Sequence, residues 1–128
     1  MAVPLREMLY VGAGGFLGAN SRFLLSRAIS QWFGAGFPYA TLLINVSGSF
    51  VLGFFLIWAT ERVTADYNLR MFVAVGFCGG YTTFSSYTFE TFSLLEQGHY
   101  WLAVTNFLGN NLMALTGAVL GAMLARSI

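Results

Sequence analysis

A polar stretch at residues 79–91 carries the side chains most able to do chemistry. It opens with Gly79 and Gly80, and then brings hydroxyl groups, aromatic rings and the carboxylate of Glu90 into one short segment. The residues on both sides of it are mostly apolar, as in a segment that crosses a membrane. Because lipid penalises polar groups, these side chains must face protein or water. The stretch therefore predicts a place where something polar binds or crosses.

The composition indicates a membrane protein. Of the 128 residues, 57% are hydrophobic and only 9% are charged, and lysine does not occur. Ordinary soluble domains carry about 25% charged residues, so this chain lacks the polar side chains that a soluble surface needs. A net charge of +1 without a basic cluster argues against binding to nucleic acid.

Four windows are long and apolar enough to cross a bilayer, which takes about 20 residues. They cover residues 8–29, 39–60, 69–95 and 100–124. The connections between them are short, and no linker or clear repeat divides the chain. We therefore expect a single all-α transmembrane domain over residues 1–128. We expect its third helix to be broken at Gly79-Gly80, since each glycine weakens a helix by about 1 kcal/mol relative to alanine.

The arginines give only a weak signal for orientation. Four of them would share the side of the two termini: Arg6, Arg62, Arg70 and Arg126. The positive-inside rule would place that side in the cytoplasm. Three acidic residues lie beside them: Glu7, Glu61 and Asp66. A mixed orientation is therefore open.

Helical spacing brings polar side chains onto shared faces. Asn45 belongs to a stripe of residues four apart on the second span, and Asn106 and Asn110 are one turn apart on the fourth. Small and hydroxyl residues at such positions commonly serve only to pack helices. A buried asparagine needs more explanation, because an unpaired amide costs about 1–3 kcal/mol. These amides and the guanidinium of Arg22 are donors, which suit an anion better than a cation.

Phe84 and Tyr87 are three residues apart and share a face of the third span. Aromatic residues at this spacing usually pack in a core. The edge of an aromatic ring is electropositive, however, so it can also contact a small anion that has lost its water. Both interpretations are open from the spacing alone.

The sequence shows no arrangement for catalysis. The glycine-rich run at residues 12–18 lacks the glycine spacing and the acidic partner of a dinucleotide-binding motif. His99 and Asp66 are each the only residue of their type and lie in separate loops, so neither a catalytic triad nor a metal-ligand pattern forms. The single Cys78 is interpreted as a small buried apolar residue. We therefore expect that the protein is not an enzyme.

Three parts of the sequence match one family of membrane proteins. They are the glycine-rich first span with Arg22, the segment from Thr41 to Asn45, and a long run from Gly76 to Glu90. The last contains the specific pattern G-G-x-[ST]-T-F-S-[ST]-[FY]. On these residues the chain resembles the Fluc (CrcB) fluoride channels over essentially its whole length.

The resemblance implies a passive, fluoride-selective channel that exports the ion across the bacterial cytoplasmic (inner) membrane and confers fluoride resistance. Family members are antiparallel homodimers with dual topology and two pores per dimer. A structural sodium ion (Na+) lies at the dimer interface, held by backbone carbonyls that correspond here to Gly79 and Thr82. No organic cofactor is implied.

The resemblance also implies the residues that line each pore. They correspond to Asn45, Thr83, Phe84, Ser85, Ser86, Tyr87 and Glu90, joined by Asn106 and Asn110 of the fourth span, with Arg22 at the aqueous vestibule. This chain departs from the family's pattern at Tyr87, where many members have phenylalanine. It also departs at Asn106 and Asn110, where many have tyrosine, serine or histidine.

Two other functions are weighed against the channel. A small four-helix multidrug or guanidinium exporter needs a carboxylate deep in its first helix, where this chain has Glu7 only at the start and Arg22 within. A non-conducting scaffold would explain the pattern Gly14-x-x-x-Gly18 but not the aligned asparagines. The exporter is kept as the alternative.

Overall fold

The computed structural model describes residues 2–128, and this range is helical without a strand. Five helices follow in order: α1 (Leu5–Phe33), α2 (Tyr39–Ile57), α3 (residues 67–81), α4 (Phe84–Glu96) and α5 (Tyr100–Ser127). Wider π-helical winding extends α2 through Trp58–Arg62 and forms the middle of α3 at Met71–Cys78. The predicted all-α fold is confirmed.

Only two of the helices within residues 2–128 are long and apolar enough to cross a membrane when each is judged alone. They are α2 with its extension, Tyr39–Arg62, and α5. α1 is long enough but carries Arg22 and Arg27 in its second half. α3 and α4 fall short because the third span is divided between them.

α1 packs on α3 with the two backbones in direct contact. Gly14 and Gly18 are buried one turn apart on α1, and a methyl group at either would overlap a carbonyl oxygen of α3. Gly76 and Gly80 are the counterparts on α3, where a methyl group would lie 2.7 Å from a carbonyl oxygen of α1. Membrane helices gain packing in this way, because lipid tails provide no hydrophobic drive for association.

α2 packs on α5 in the same way, with glycines that bring the two backbones into contact. A methyl group at Gly53 would overlap the carbonyl of Ala118, and one at Gly121 would overlap the carbonyl of Phe50. At Gly117 it would lie 2.9 Å from the Val46 carbonyl oxygen. The two glycine-packed pairs are α1 with α3 and α2 with α5, and α4 packs mainly on α5.

The break in the third span lies at Thr82 and Thr83, so the prediction of a break at Gly79-Gly80 is wrong in position. Both glycines are helical, and α3 ends at Tyr81. Thr82 and Thr83 are extended, with φ/ψ of −77°/159° and −150°/114°. Two helical glycines cost only about 1 kcal/mol each, and the contact of Gly80 with α1 offsets that cost. Where the helix ends is decided by a side chain of α2, described below.

Arginines bind the helix ends together on the side of the termini. Arg70 donates to the Ala59 carbonyl at 2.9 Å, within the extension of α2. Arg62 donates to the last carbonyls of α5, and Arg126 of α5 pairs with Glu61 at 3.0 Å. Carbonyls at a helix end have no partner within the helix, so these guanidinium groups complete the ends of α2 and α5.

Gly14→Ala should destabilise the protein, because the added methyl group would overlap the Phe72 carbonyl oxygen and push α1 away from α3. Overpacking of this kind costs about 1–3 kcal/mol. Gly12→Ala is the matched control, since no atom lies within 4 Å of its new methyl group. Thermal unfolding of both variants in detergent micelles measures the effect. Equal melting temperatures for the two variants would contradict the described packing.

Candidate functional site

Asn45 of α2 pairs with the backbone at the break in the third span. Its Oδ1 accepts the Thr83 N–H at 2.8 Å, and its Nδ2 donates to the Thr83 carbonyl at 3.0 Å. Thr83 is buried, so an extended residue there would otherwise leave these groups unpaired, at about 1–3 kcal/mol each. The same Nδ2 donates to Asn110 Oδ1 of α5 at 2.9 Å. The Asn45 side chain thus pairs both backbone groups of Thr83 and connects the break to α2 and α5.

The hydrogen bonds continue from Asn45 along α5. Asn110 Nδ2 donates to the carbonyl of Asn106 at 2.9 Å and to its Oδ1 at 3.0 Å, and Asn106 Nδ2 donates to Thr91 Oγ1 at 2.9 Å. Asn106 and Asn110 are buried, with 0% and 5% exposure. Both amide hydrogens of Asn45 and of Asn110 are therefore used within the protein, and only Asn106 keeps one free. These amides therefore join α2, α4 and α5 to one another.

A cavity of about 200 Å³ lies beside the break. Its lining consists of Asn45, Ser49, Thr82, Thr83, Phe84, Tyr87, Asn110, Asn111 and Ala114. The rings of Phe84 and Tyr87 meet edge to face, with centroids 5.4 Å apart and an interplanar angle of 67°. Tyr87 is 5% exposed, whereas Phe84 is 76% exposed. The Phe84 ring therefore extends outside the packing of its own chain.

A second cavity of about 400 Å³ lies where α1 ends and α2 begins, and Glu90 reaches it from α4. Glu90 Oε1 accepts the Thr41 hydroxyl at 2.7 Å, and Oε2 is buried with no partner among residues 2–128. Thr41 lies one helical turn before Asn45 on α2. Polar groups therefore continue along one face of α2 from the first cavity to the second.

Thr83 and Ser86 form the N-terminal cap of α4. Thr83 Oγ1 accepts the Ser86 N–H at 3.1 Å and donates to Ser86 Oγ at 3.0 Å. Ser86 Oγ, as the acceptor, keeps its own hydrogen available. The remaining two predicted residues lie apart: Ser85 is exposed and Arg22 is half-buried on α1, and neither lines the two cavities.

Comparison with known proteins identifies the family. The profile described as "CrcB-like protein, Camphor Resistance (CrcB)" matches residues 9–122. The chain belongs to this family.

Curated relatives match this CrcB-family chain over nearly its full length. It is 51% identical over 127 residues to the "Fluoride-specific ion channel FluC" of Koribacter versatilis, which covers 98% of this chain and 100% of the relative. A protein of the same name from Sulfurihydrogenibium sp. is 42% identical over 124 residues, covering 97% and 100%. One from Legionella pneumophila (strain Paris) is 42% identical over 120 residues, covering 94% and 90%. The resemblance seen in the sequence is confirmed.

At the break, the Gly79 and Thr82 carbonyls of the CrcB-family chain are among those that lose their helical donors. In an unbroken helix the Gly79 carbonyl would accept from Thr83 N–H, but that N–H donates to Asn45. The Thr82 carbonyl would accept from Ser86 N–H, which donates instead to Thr83 Oγ1. Freed carbonyls at membrane depth are suitable ligands for a cation. Residues 2–128 contain no group of three His, Cys, Asp or Glu residues that could hold a metal.

Asn111 is a site residue that the sequence analysis missed. Its Nδ2 donates to the Tyr87 hydroxyl at 2.9 Å and to the Phe107 carbonyl at 2.7 Å. It directly follows Asn110, so it points about 100° away around the helix from the face that Asn106 and Asn110 share. The only signal in the sequence was the Tyr87 hydroxyl itself, which needs a partner once the ring is buried.

Asn45→Leu should lower the free energy of unfolding by about 2–4 kcal/mol, because it leaves the N–H and the carbonyl of Thr83 unpaired. Asn20→Leu is the matched control, since the Asn20 amide donates only to the Phe16 carbonyl on the exposed side of its own helix. Chemical denaturation in micelles compares the two. A loss in Asn45→Leu no larger than in Asn20→Leu would show that this pairing does not hold the break.

Proposed function

We propose that this CrcB-family chain is a fluoride-selective passive channel that exports fluoride down its electrochemical gradient. The observation that carries the proposal is that the long matched run at residues 76–90 supplies one wall of the cavity beside the break. Relatives that match nearly the whole chain are named as fluoride-specific ion channels. The same run supplies aromatic edges and hydroxyl groups, which suit a small hard anion.

Fluoride holds its water strongly, so a narrow passage must replace that water with donors at each step. In the first cavity the available donors are the hydroxyls of Ser49 and Tyr87 and electropositive ring hydrogens. The asparagine amides and the threonine hydroxyls of its lining already donate to protein oxygens. A ring edge is a weak contact, since even a pair of aromatic rings gains only about 0.5–1.5 kcal/mol from its geometry. Several weak contacts in series let the ion enter and also leave. Chloride is larger and pairs less well with such donors.

Glu90 and Arg22 serve the ends of this path. The Glu90 carboxylate holds the Thr41 hydroxyl at 2.7 Å and so fixes the polar groups between the two cavities. Arg22 is half-buried on α1, and its guanidinium attracts an anion towards the protein surface. An exporter of organic cations is not favoured, since α1 has no carboxylate beyond Glu7.

The chain crosses the bacterial cytoplasmic membrane four times in this proposal. α4 has 13 residues. At about 1.5 Å per residue it covers roughly 20 Å, which is less than the hydrocarbon core of about 30 Å. α3 and α4 must therefore make one crossing together, with the break inside the bilayer. Trp32 and Trp101 are 86% and 84% exposed near helix ends, as expected for residues at a membrane interface.

A second copy of the chain in antiparallel orientation completes the channel. Phe84 extends from its own subunit, and a methyl group at Gly79 would meet no atom within 4 Å. The freed carbonyls of Gly79 and Thr82 would hold a sodium ion (Na+) at the interface. The ion would supply positive charge that joins the two broken helices. Positive and negative side chains are mixed on the side of the termini, so neither orientation is strongly preferred.

Liposomes that contain the purified protein and potassium fluoride should release fluoride when valinomycin carries the compensating potassium, as measured with a fluoride electrode. Liposomes loaded with potassium chloride should retain their chloride. Phe84→Ile removes the ring edge and should lower the fluoride rate about two- to tenfold, while the protein still forms dimers. A wild-type protein that is incorporated normally but releases no fluoride would contradict the proposed function. If the protein were a non-conducting scaffold, Phe84→Ile would change neither fluoride release nor dimer formation.

The antiparallel dimer predicts that tags at the termini react from both sides of the membrane within one population of vesicles. Labelling from one side only would exclude dual topology. The sodium proposal predicts that the dimer melts at a lower temperature when sodium is replaced by N-methylglucamine. An unchanged melting temperature would contradict the binding of sodium but not the channel function.

A further inference from the structure

The Tyr87 hydroxyl has a fixed partner, and the direction of that hydrogen bond has a consequence for the cavity. Asn111 Nδ2 lies 2.9 Å from the hydroxyl oxygen and 2.7 Å from the Phe107 carbonyl oxygen. A carbonyl only accepts, so the atom facing Phe107 must be the nitrogen and not Oδ1. The same nitrogen faces Tyr87, and an amide nitrogen only donates. The Tyr87 oxygen is therefore the acceptor in this bond.

In this arrangement the hydrogen of the Tyr87 hydroxyl is not used in the bond to Asn111. Because the oxygen accepts from Asn111, its own hydrogen must point elsewhere, and within residues 2–128 no acceptor receives it. Tyr87 and Asn111 both line the cavity of about 200 Å³, and Tyr87 is otherwise 5% exposed. A buried ring with a free hydroxyl hydrogen at a cavity wall is a donor that needs an acceptor.

We propose that Asn111 is a positioning residue that makes the Tyr87 hydroxyl a hydrogen-bond donor to fluoride in this cavity. The inference rests on the proposed channel function and adds to it a contact that a phenylalanine at this position cannot make. Hydrogen bonds to charged groups are worth about 1.5–3 kcal/mol, which is more than a ring edge provides. The hydroxyl would then be the strongest single contact in a cavity whose asparagine amides are already bonded.

The experiment compares fluoride release from liposomes for the wild type, Asn111→Leu, Tyr87→Phe and the double variant. Each single variant should conduct about tenfold more slowly than the wild type, which corresponds to the loss of one such bond. The double variant should be no slower than either single one, because both changes remove the same contact. Asn111→Gln keeps an amide donor on a longer stem and should recover part of the rate. Asn20→Leu is the control and should conduct like the wild type.

Three outcomes would overturn the inference. In one, Asn111→Leu conducts as the wild type. In another, Tyr87→Phe conducts as the wild type while Asn111→Leu is slow, so that Asn111 does not act through the hydroxyl. In the third, the two losses multiply in the double variant. Dimer yield and melting temperature of each variant separate slow conduction from poor folding. A wild type that conducts no fluoride removes the proposed function itself, and that result is seen before any variant is compared.

Discussion

The pairing of Asn45 with the Thr83 peptide is the interaction on which the rest of the site depends. A broken helix inside a bilayer exposes an N–H and a carbonyl that no water can satisfy. Asn45 meets both from a neighbouring helix, with bonds of 2.8 and 3.0 Å. Without this side chain the N–H and the carbonyl of Thr83 would have no partner, at a cost of about 1–3 kcal/mol each. The cap of α4, the freed carbonyls of α3 and the cavity all follow from the break.

The glycine contacts make the pairing of Asn45 with Thr83 possible because they fix the relative positions of the helices. A hydrogen bond of 2.8 Å tolerates little displacement. α2 is held against α5 by backbone contact at Gly117 and Gly121, and α3 is held against α1 at Gly76 and Gly80. The break thus lies between two rigid pairs. Polar bonds of this kind are worth only about 1 kcal/mol each in membranes, so they select a geometry that packing has already brought close.

The sequence was sufficient for those features that depend on composition and on local pattern. The scarcity of charge predicted an all-α membrane protein, and the run from Gly76 to Glu90 identified the family. The position of the break was not predictable in this way. Glycine propensity pointed to Gly79-Gly80, but that preference is about 1 kcal/mol per residue. Tertiary contacts outweigh that preference, because Gly80 packs on α1 and Asn45 Oδ1 accepts the Thr83 N–H. The partnership of Asn111 with Tyr87 was equally hidden, since it depends on how α4 and α5 are rotated against each other.

The use of the asparagines within the protein changes the kind of selectivity that the site can have. From the sequence, amides were expected to be donors to an anion together with hydroxyls and ring edges. Asn45 and Asn110 instead spend both hydrogens on protein oxygens, so the cavity offers hydroxyls and ring edges. A set of strong amide donors would hold a desolvated anion in a deep well, and a deep well slows release. A rigid wall with weak, separated donors binds the anion less tightly at any one point and so allows faster release. Discrimination must then come from the size of the passage and from the cost of dehydration rather than from tight binding at one point.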